Sequence, residues 1–208
     1  MRVRIPPSAL QIMKLVIGLV GEKGSGKQTF VNFLKKIASS KTPRNDGVGG
    51  LNIRQVRFSD ILAQTLLIWD IPLSRANLQK LSLIMGDEFG ASSLAHAAKF
   101  NIADDPSQII ILDGIRRDAE LKLVQKFKNN LLLYITAKSN LRYKRLKLRS
   151  EKVGETHITY PQFLAEEKSK AETEIPNLGK KADLKIINND TLEAFGKRIN
   201  QLAKKLLY

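Results

Sequence analysis

The sequence predicts an α/β fold in which a parallel sheet of five strands is covered by helices on both faces. Short apolar runs rich in β-branched residues alternate along the chain with longer segments of helical periodicity. This alternation is typical of parallel sheets whose strands are joined by helices. The chain has 208 residues, which is enough for one well-buried core. It contains no internal repeats.

Five apolar runs fit the strands of such a sheet. Parallel strands are covered on both faces, so apolar residues follow one another in them without regular alternation. The clearest run is Gln108–Leu112, which contains three consecutive isoleucines. The predicted strands are Lys14–Val20, Leu51–Phe58, Gln108–Leu112, Leu131–Thr136 and Asp183–Ile187.

Helices are expected between and after these strands. Apolar residues recur at helical spacing in Lys27–Ser39. Ser59 and Asp60 are natural N-caps for a helix around Ile61–Trp69. Ser40–Gly50 has the composition of a loop. One predicted helix follows the strand Gln108–Leu112 and ends at Phe127. The others run from Ser74 through Met85 and over Gly86–Phe100, Ser139–Arg149, Tyr160–Glu174 and Asp190–Leu207.

The chain is strongly basic. Lys and Arg total 35 against 20 Asp and Glu, which gives a formal charge of +15. A field of this sign attracts polyanions, either nucleic acid or phosphorylated small molecules. The densest cationic run is Lys138–Lys152. Because the chain lacks the interleaved arginines and aromatic residues of single-strand binding surfaces, nucleic acid is the less favoured partner.

Composition excludes several classes of site. The chain has no cysteine, so disulfides, thiolate metal sites and cysteine nucleophiles are ruled out, and a reducing cytoplasm is the expected location. No window reaches the roughly 18 apolar residues of a membrane span. His96 and His157 are far apart in sequence and predict no metal site. Residues 1–12 are basic and lack the apolar core of a signal peptide. We expect them to form a disordered extension, with Met13 as the natural start.

A glycine-rich motif follows the first predicted strand and opens the first predicted helix. Gly21–Thr29 reads GEKGSGKQT and satisfies the Walker A pattern G-x-x-x-x-G-K. Its glycines let successive N–H groups converge on one anion, and the helix N-terminus adds partial positive charge there. Lys27 can reach the terminal phosphates of a nucleotide. The predicted ATP-binding residues are Gly21, Gly24, Ser25, Gly26, Lys27, Gln28 and Thr29.

The motif departs from the Walker A pattern at one position. Ser or Thr usually follows the lysine and meets Mg²⁺, whereas here Gln28 intervenes before Thr29. This G-K-x-T arrangement resembles that of nucleoside monophosphate kinases such as the adenylate kinases. The resemblance covers the chain from about Met13 onward. It implies a three-layer P-loop NTPase fold, ATP with Mg²⁺ as cofactor, and Thr29 beside the metal, in direct or water-mediated contact.

A second motif lies at the end of the third predicted strand. Asp113 stands where parallel sheets place ligands, so it can hold Mg²⁺ or orient an acceptor oxygen, and the arginines after it can grip a phosphate. The run Asp113–Arg117 resembles the D-G-x-P-R of adenylate kinases, which implies Arg117 as the phosphate ligand. It also resembles the D-G-I-R of archaeal kinase-like proteins and of phage-type deoxynucleoside monophosphate kinases, which implies Arg116. Arg116 and Arg117 are therefore both candidate ligands of the acceptor phosphate.

Residues from about 59 to 104 are predicted to form an acceptor-binding insert. The run beginning at Ser59 and Asp60 is similar to the region where the acceptor site of adenylate kinases starts. Those kinases carry an arginine where this chain has Ala63, which weakens the case for AMP as acceptor. Arg75, at the start of the next predicted helix, can supply the missing charge.

The basic helix before the predicted lid carries three arginines at helical spacing. Arg142, Arg145 and Arg149 lie on one face. Arg145 and Arg149 resemble the arginine pair that opens the lid of adenylate kinases, which implies that Arg145 covers the adenine and Arg149 contacts phosphates. Such residues stabilise the charge of a transferring phosphoryl group. The lid itself is expected over residues 150–177.

Together these motifs predict a P-loop kinase that moves the γ-phosphate of ATP to a nucleoside or deoxynucleoside monophosphate, as a monomer or homodimer. Dephospho-CoA kinase is the first alternative. Its hydroxyl acceptor needs a base, for which Asp60 and Asp113 are available. The second alternative is a nucleic-acid-associated ATPase switch, which the charge of +15 favours.

Overall fold

The computed structural model describes residues 14–40, 51–148 and 158–207. The expectations for the extension 1–12, for Met13, for the loop beyond Ser40, for Arg149 and for the lid before residue 158 concern positions outside the described residues.

The described residues form one parallel sheet of five strands, in the order β2-β3-β1-β4-β5. β2 and β3 thus lie on one side of β1, with β2 at the edge, and β4 and β5 lie on the other side. Open α/β sheets bind ligands where the strand order reverses in this way. The register places Asp113 of β3 beside Leu19 of β1 and Arg57 of β2. The strands are β1 (Leu15–Val20), β2 (Ile53–Arg57), β3 (Ile109–Ile115), β4 (Asn130–Thr136) and β5 (Leu184–Ile187).

Helices cover both faces of the sheet, which confirms the predicted three-layer α/β arrangement. In the described residues they are α1 (Lys27–Ser39), α2 (Phe58–Ile68), α3 (Arg75–Glu88), α4 (Ser93–Ile102), α5 (Asp118–Gln125), α6 (Ser139–Leu148), α7 (Tyr160–Glu167), α8 (Lys170–Thr173), α9 (Ile175–Lys180) and α10 (Leu192–Leu207). None of these helices has the length and apolar character that crossing a bilayer requires.

Alternate residues of the central strands point to opposite faces, as the twofold period of a strand requires. Val16 and Leu132 pack with buried residues of α2, α4 and α5. Ile17 and Leu133 pack with Phe30 of α1 and with buried residues of α10. The sheet is thus fixed from both sides, and its carboxyl edge becomes a firm base for the loops that follow each strand.

The start of α2 differs from the prediction. β2 ends at Arg57 and the helix begins at Phe58, so Ser59 and Asp60 lie in the first turn and are not its N-caps. Phe58 was assigned to the strand because it is apolar. It is buried with Leu62 and Leu66, however, and this four-residue spacing belongs to one face of a helix.

Two other predicted helices are divided. The run predicted over Gly86–Phe100 ends α3 and then begins α4, with Gly90 between them at a φ of 95°. Tyr160–Glu174 becomes α7 and α8, and α9 follows. Pro176 stands in the first turn of α9, where its missing N–H is tolerated. Because Pro176 cannot lie inside a longer helix without breaking its hydrogen bonds, α9 is separate from α8.

We expect Gly18→Ala to lower the free energy of unfolding by about 1–3 kcal/mol, because extra volume in a packed core forces side chains out of place. A Cβ at Gly18 would lie 2.7 Å from Cδ1 of Ile115 and 2.8 Å from Cγ2 of Val124. Urea denaturation measures the loss.

The matched variant is Ile115→Val, which removes the nearest colliding atom and alone costs about 0.5–1.5 kcal/mol. The double variant should lose less than the sum of the two single losses. Additive losses would show that the contact with Ile115 is not what excludes a side chain at Gly18.

Candidate functional site

A cavity of about 990 Å³ opens at the carboxyl edge of the sheet. Residues 23–29 of the glycine-rich turn line one side, and residues of α2, α3 and the loop after β3 line the other. Asp113 lies between the two sides. The cavity therefore brings together the predicted ATP-binding residues other than Gly21, which is not among its lining residues, and most of the predicted acceptor-binding residues.

The glycine-rich turn has a curled backbone that depends on two glycines. Gly24 and Gly26 have φ values of 73° and 107°, a left-handed conformation that other residues rarely adopt. A Cβ at Gly24 would lie 2.6 Å from the carbonyl oxygen of Arg142, and one at Gly26 would collide with Nδ2 of Asn188. The turn is therefore packed tightly against α6 and the loop after β5.

Lys27 lies in the centre of this turn. Its Nζ donates to the carbonyl oxygens of Gly21, at 2.6 Å, and Glu22, at 3.1 Å. Burial lowers the pKa of Lys27, and nearby Asp113 acts in the opposite direction. The first turn of α1 contains no acidic residue. The ammonium group and the positive end of the helix therefore favour an anion at the same place.

Gln28, which replaces the usual Ser or Thr, joins a hydrogen-bond network that runs to Asp113. Its Oε1 accepts from Arg57 and from Nε2 of Gln55, the latter at 3.1 Å. Nε2 of Gln55 also lies 2.8 Å from Oδ2 of Asp113, to which it donates. Sequence reasoning missed Gln55 and Arg57. The only signal was that polar residues alternate near the end of a predicted strand.

Asp113 lines the cavity and has one buried carboxylate oxygen without a partner in the described part of the chain. Its side chain is 8% exposed, and its Oδ1 has no hydrogen-bond partner among the described residues. Thr29 also lines the cavity. The described residues contain no cluster of three or more histidine or acidic side chains that could hold a metal alone. A divalent ion at Asp113 or Thr29 would thus take further ligands from phosphate oxygens or water.

The two arginines after β3 have different surroundings. Nη2 of Arg117 donates to the carbonyl oxygen of Ser82, at 2.8 Å, and its guanidinium lies so close to Gly86 that a Cβ there would collide with it. Nη2 of Arg116 lies 3.0 Å from Oε1 of Glu172. Arg117 is therefore fixed against α3, whereas Arg116 takes part in an ion pair at the cavity.

The predicted partner Arg75 reaches the same carboxylate. Its Nη2 lies 3.0 Å from Oε1 of Glu172, and its Nη1 lies 3.5 Å from Oε2 of Glu166. Ser59 lines the cavity, whereas Asp60 is exposed and is not among the lining residues. The structure thus brings Arg75 and Arg116 together and leaves Asp60 outside.

Glu120 holds the loop that carries the two arginines. Its buried Oε2 accepts from the backbone N–H of Arg116, at 2.6 Å, and of Arg117, at 3.2 Å. Burial raises the pKa of Glu120, although both hydrogen bonds favour the ionised form.

Arg145 also lines the cavity, beside Asn188 on the side of the glycine-rich turn. Its Nη2 donates to the carbonyl oxygen of Asn188 at 2.9 Å, and its buried Nη1 has no partner among the described residues. Burial lowers the pKa of Arg145. This guanidinium N–H can donate a hydrogen bond to a ligand bound at the glycine-rich turn.

The described part of the predicted lid lies against the glycine-rich turn. Lys23 forms an ion pair with Glu166 and lies 4.9 Å from the ring centroid of Phe163. Arg142 contacts both carboxylate oxygens of Glu167. Burial is the main cause that lowers the pKa of Lys23. These contacts were not predicted, because a single sequence gives no sign of which distant charges pair.

Tyr134 of β4 makes a hydrogen bond to the glycine-rich turn. Its hydroxyl donates to Oε1 of Glu22 at 2.5 Å. Burial, reinforced by that hydrogen bond, raises the pKa of Tyr134 to about 12. The turn is therefore tied to β4 as well as to α6 and the loop after β5.

No protein-family model matches the chain. Curated relatives match it over nearly its whole length. A UPF0200 protein of Methanoregula boonei is 27% identical over 190 residues, which cover 90% of this chain and 94% of the relative. A UPF0200 protein of Hyperthermus butylicus is 24% identical over 193 residues, which cover 93% and 95%.

Solved structures show the same fold. A protein of Thermus thermophilus superimposes with a TM-score of 0.57 and 14% identity, covering 93% of this chain and 98% of its own. A shikimate kinase of Bacteroides thetaiotaomicron superimposes with a TM-score of 0.55 and 14% identity, covering 91% and 98%. The chain thus has the α/β fold of P-loop kinases, as predicted, and at this identity the likeness concerns the fold alone.

We expect Tyr134→Phe to lower the free energy of unfolding at pH 8 by about 1–3 kcal/mol, because the buried carboxylate of Glu22 loses a donor. A tyrosine whose folded-state pKa is raised stabilises the protein below its ordinary pKa of about 10, and that stabilisation is lost as the pH rises toward 12. The difference in the free energy of unfolding between the wild type and Tyr134→Phe should therefore be smaller at pH 11 than at pH 8. Urea denaturation at both pH values checks this, and a difference that widens would contradict it.

Proposed function

We propose that this protein is an ATP-dependent phosphotransferase whose acceptor is a nucleoside or deoxynucleoside monophosphate. The observation that carries the proposal is one cavity with two cationic sides. The glycine-rich turn with Lys27 forms the donor side, and Arg75 with Arg116 forms the acceptor side. A kinase for phosphorylated acceptors needs both, because its two substrates bring negative charge to the same point.

On the donor side, the residues fit a magnesium nucleotide. The left-handed glycines leave room for a ligand against the backbone, and the available oxygen of Asp113 together with Thr29 can hold Mg²⁺, directly or through water. Mg²⁺ would neutralise charge on the donor phosphates. Lys27 would exchange its two backbone acceptors for phosphate oxygens. Arg145 would contact the nucleotide from its position beside Asn188.

In the proposed reaction, an oxygen of the acceptor phosphate attacks the γ-phosphorus of ATP. The bond from that phosphorus to the bridging oxygen breaks, and the bridging oxygen keeps the electron pair as part of ADP. The acceptor oxygen is already an anion, so no base has to remove a proton. Arg116 and Arg145 would neutralise the moving group. The proposed contribution of Arg149 rests on the sequence alone.

A hydroxyl acceptor is the second candidate, and one observation favours it. The buried carboxylate of Asp113 keeps one oxygen without a partner among the described residues, as a general base would. Only an acceptor with a hydroxyl group, such as dephospho-CoA, requires a base.

A coupled assay of ADP release separates these possibilities. The panel contains nucleoside and deoxynucleoside monophosphates, dephospho-CoA and shikimate, each with MgATP and with or without RNA. We expect at least one monophosphate to give the highest kcat/KM. Release only with dephospho-CoA or shikimate would favour the hydroxyl acceptor. Release that depends on RNA alone would favour an ATPase switch.

We expect Lys27→Ala to lower kcat by at least about 100-fold, because a positioned cation of this kind contributes 10²–10³-fold to such reactions. The matched control is Lys35→Ala, which removes an exposed lysine from the same helix. Circular dichroism and urea denaturation establish that both variants are folded. Equal activity of Lys27→Ala and the control would overturn the proposed donor site.

The two arginines after β3 should differ in their effects. We expect Arg116→Gln to raise the acceptor KM at least about tenfold, because its guanidinium faces the acceptor side of the cavity. Arg117→Gln should instead lower the free energy of unfolding by about 1–2 kcal/mol, because its hydrogen bond to the Ser82 carbonyl is lost. Steady-state kinetics and urea denaturation of both variants check this. The reverse pattern would assign the acceptor phosphate to Arg117.

A further inference from the structure

We infer that the carboxylate of Glu172 occupies the position of the acceptor phosphate and has to be displaced by it, which makes the site selective for phosphate over carboxylate acceptors. The identity of the acceptor rests on the proposed function. The anion site itself can be measured without ATP and without turnover.

The contacts of Glu172 define an anion site. Its Oε1 lies 3.0 Å from Nη2 of Arg75 and 3.0 Å from Nη2 of Arg116. The side chain is 4% exposed. The three residues come from α3, the loop after β3, and α8, so elements distant in the chain meet at one oxygen. Two guanidinium groups that converge on a single oxyanion form the arrangement that binds phosphate in proteins.

An acceptor phosphate cannot use this site while Glu172 remains in it. The N–H groups that would bind the phosphate already bind Glu172, and a second anion within a few ångströms of a buried carboxylate is strongly repelled. Binding therefore requires the carboxylate of Glu172 to leave the two arginines. Glu166 contacts one cation on each side of the cavity, Lys23 of the glycine-rich turn and Arg75 of the acceptor side. The segment of α7 and α8 thus neutralises cations on both sides of the cavity.

Displacement selects the chemical class of the acceptor. Breaking the hydrogen bond from Arg75 and the ion pair with Arg116 is unfavourable. A carboxylate ligand would form two equivalent contacts and would also lose translational and rotational freedom, so it gains nothing from the exchange. A phosphate monoester carries a charge of about −1.5 to −2 on three terminal oxygens. It can therefore replace both contacts and form additional ones.

Titration calorimetry with inorganic phosphate at pH 8 tests this inference. We expect Glu172→Gln to bind phosphate about tenfold more tightly than the wild type, which corresponds to about 1.4 kcal/mol. Acetate should give no measurable heat with the wild type. The matched control is Glu193→Gln, which removes the same charge and an ion pair to Lys197 on the exposed face of α10. Its phosphate affinity should equal that of the wild type.

Two further variants keep the result interpretable. Glu172→Asp retains the charge but is one methylene shorter, so it cannot span both arginines and should give a smaller gain in affinity. Adding Arg75→Gln to Glu172→Gln should abolish the gain, which excludes phosphate bound at the glycine-rich turn as its source.

Phosphate affinity that is unchanged or weaker in Glu172→Gln would overturn the inference and make Glu172 a residue that only positions the arginines. A gain that survives Arg75→Gln would overturn it as well. No nucleotide is present in these titrations, so a failure of the kinase assay and a failure of this inference are separate results.

Discussion

The glycine-rich turn depends on close contact between the first strand–helix unit and the last third of the chain. The left-handed backbone at Gly24 and Gly26 lets the turn lie against the Arg142 carbonyl and the Asn188 amide. Asn188 donates to the carbonyl oxygen of Ser25 at 2.9 Å, and Tyr134 holds Glu22. The donor side of the cavity is therefore built by tertiary packing, although its motif is contiguous in sequence.

Ion pairs inside the cavity make the net charge of the chain a poor guide to what the cavity binds. The formal charge of +15 favours a polyanion. Within the cavity, however, Lys23 is paired with Glu166, and Arg75 and Arg116 are paired with Glu172. These three cations are thus locally neutralised by acidic residues of α7 and α8. The excess charge lies elsewhere on the chain and is not what fills this cavity.

Local patterns predicted the sheet, its three layers and the course of α1, because strand and helix periodicities are set by residues close in sequence. The prediction was wrong where tertiary packing decides the conformation of a residue. Phe58 was predicted to end a strand, but it begins α2 and is buried in the core. The pairing of Arg75 with Glu172 spans 97 residues and has no local signature. The motif resemblance likewise left Arg116 and Arg117 equivalent, and their different contacts appear only after α3 and α8 are in place.

Several cations of the cavity are bound to partners within the protein, and these partners would have to be replaced in the proposed reaction. Lys27 is satisfied by two backbone carbonyl oxygens, and the acceptor arginines are satisfied by Glu172. The positive charge that would stabilise a transferring phosphoryl group is therefore exposed fully only when both substrates have replaced these internal partners. ATP bound alone would meet an acceptor side whose arginines are still neutralised, and water is a poor substitute for the anion that displaces Glu172. If the proposed reaction takes place, this arrangement would limit wasteful hydrolysis, because electrostatic stabilisation would be withheld until the acceptor binds.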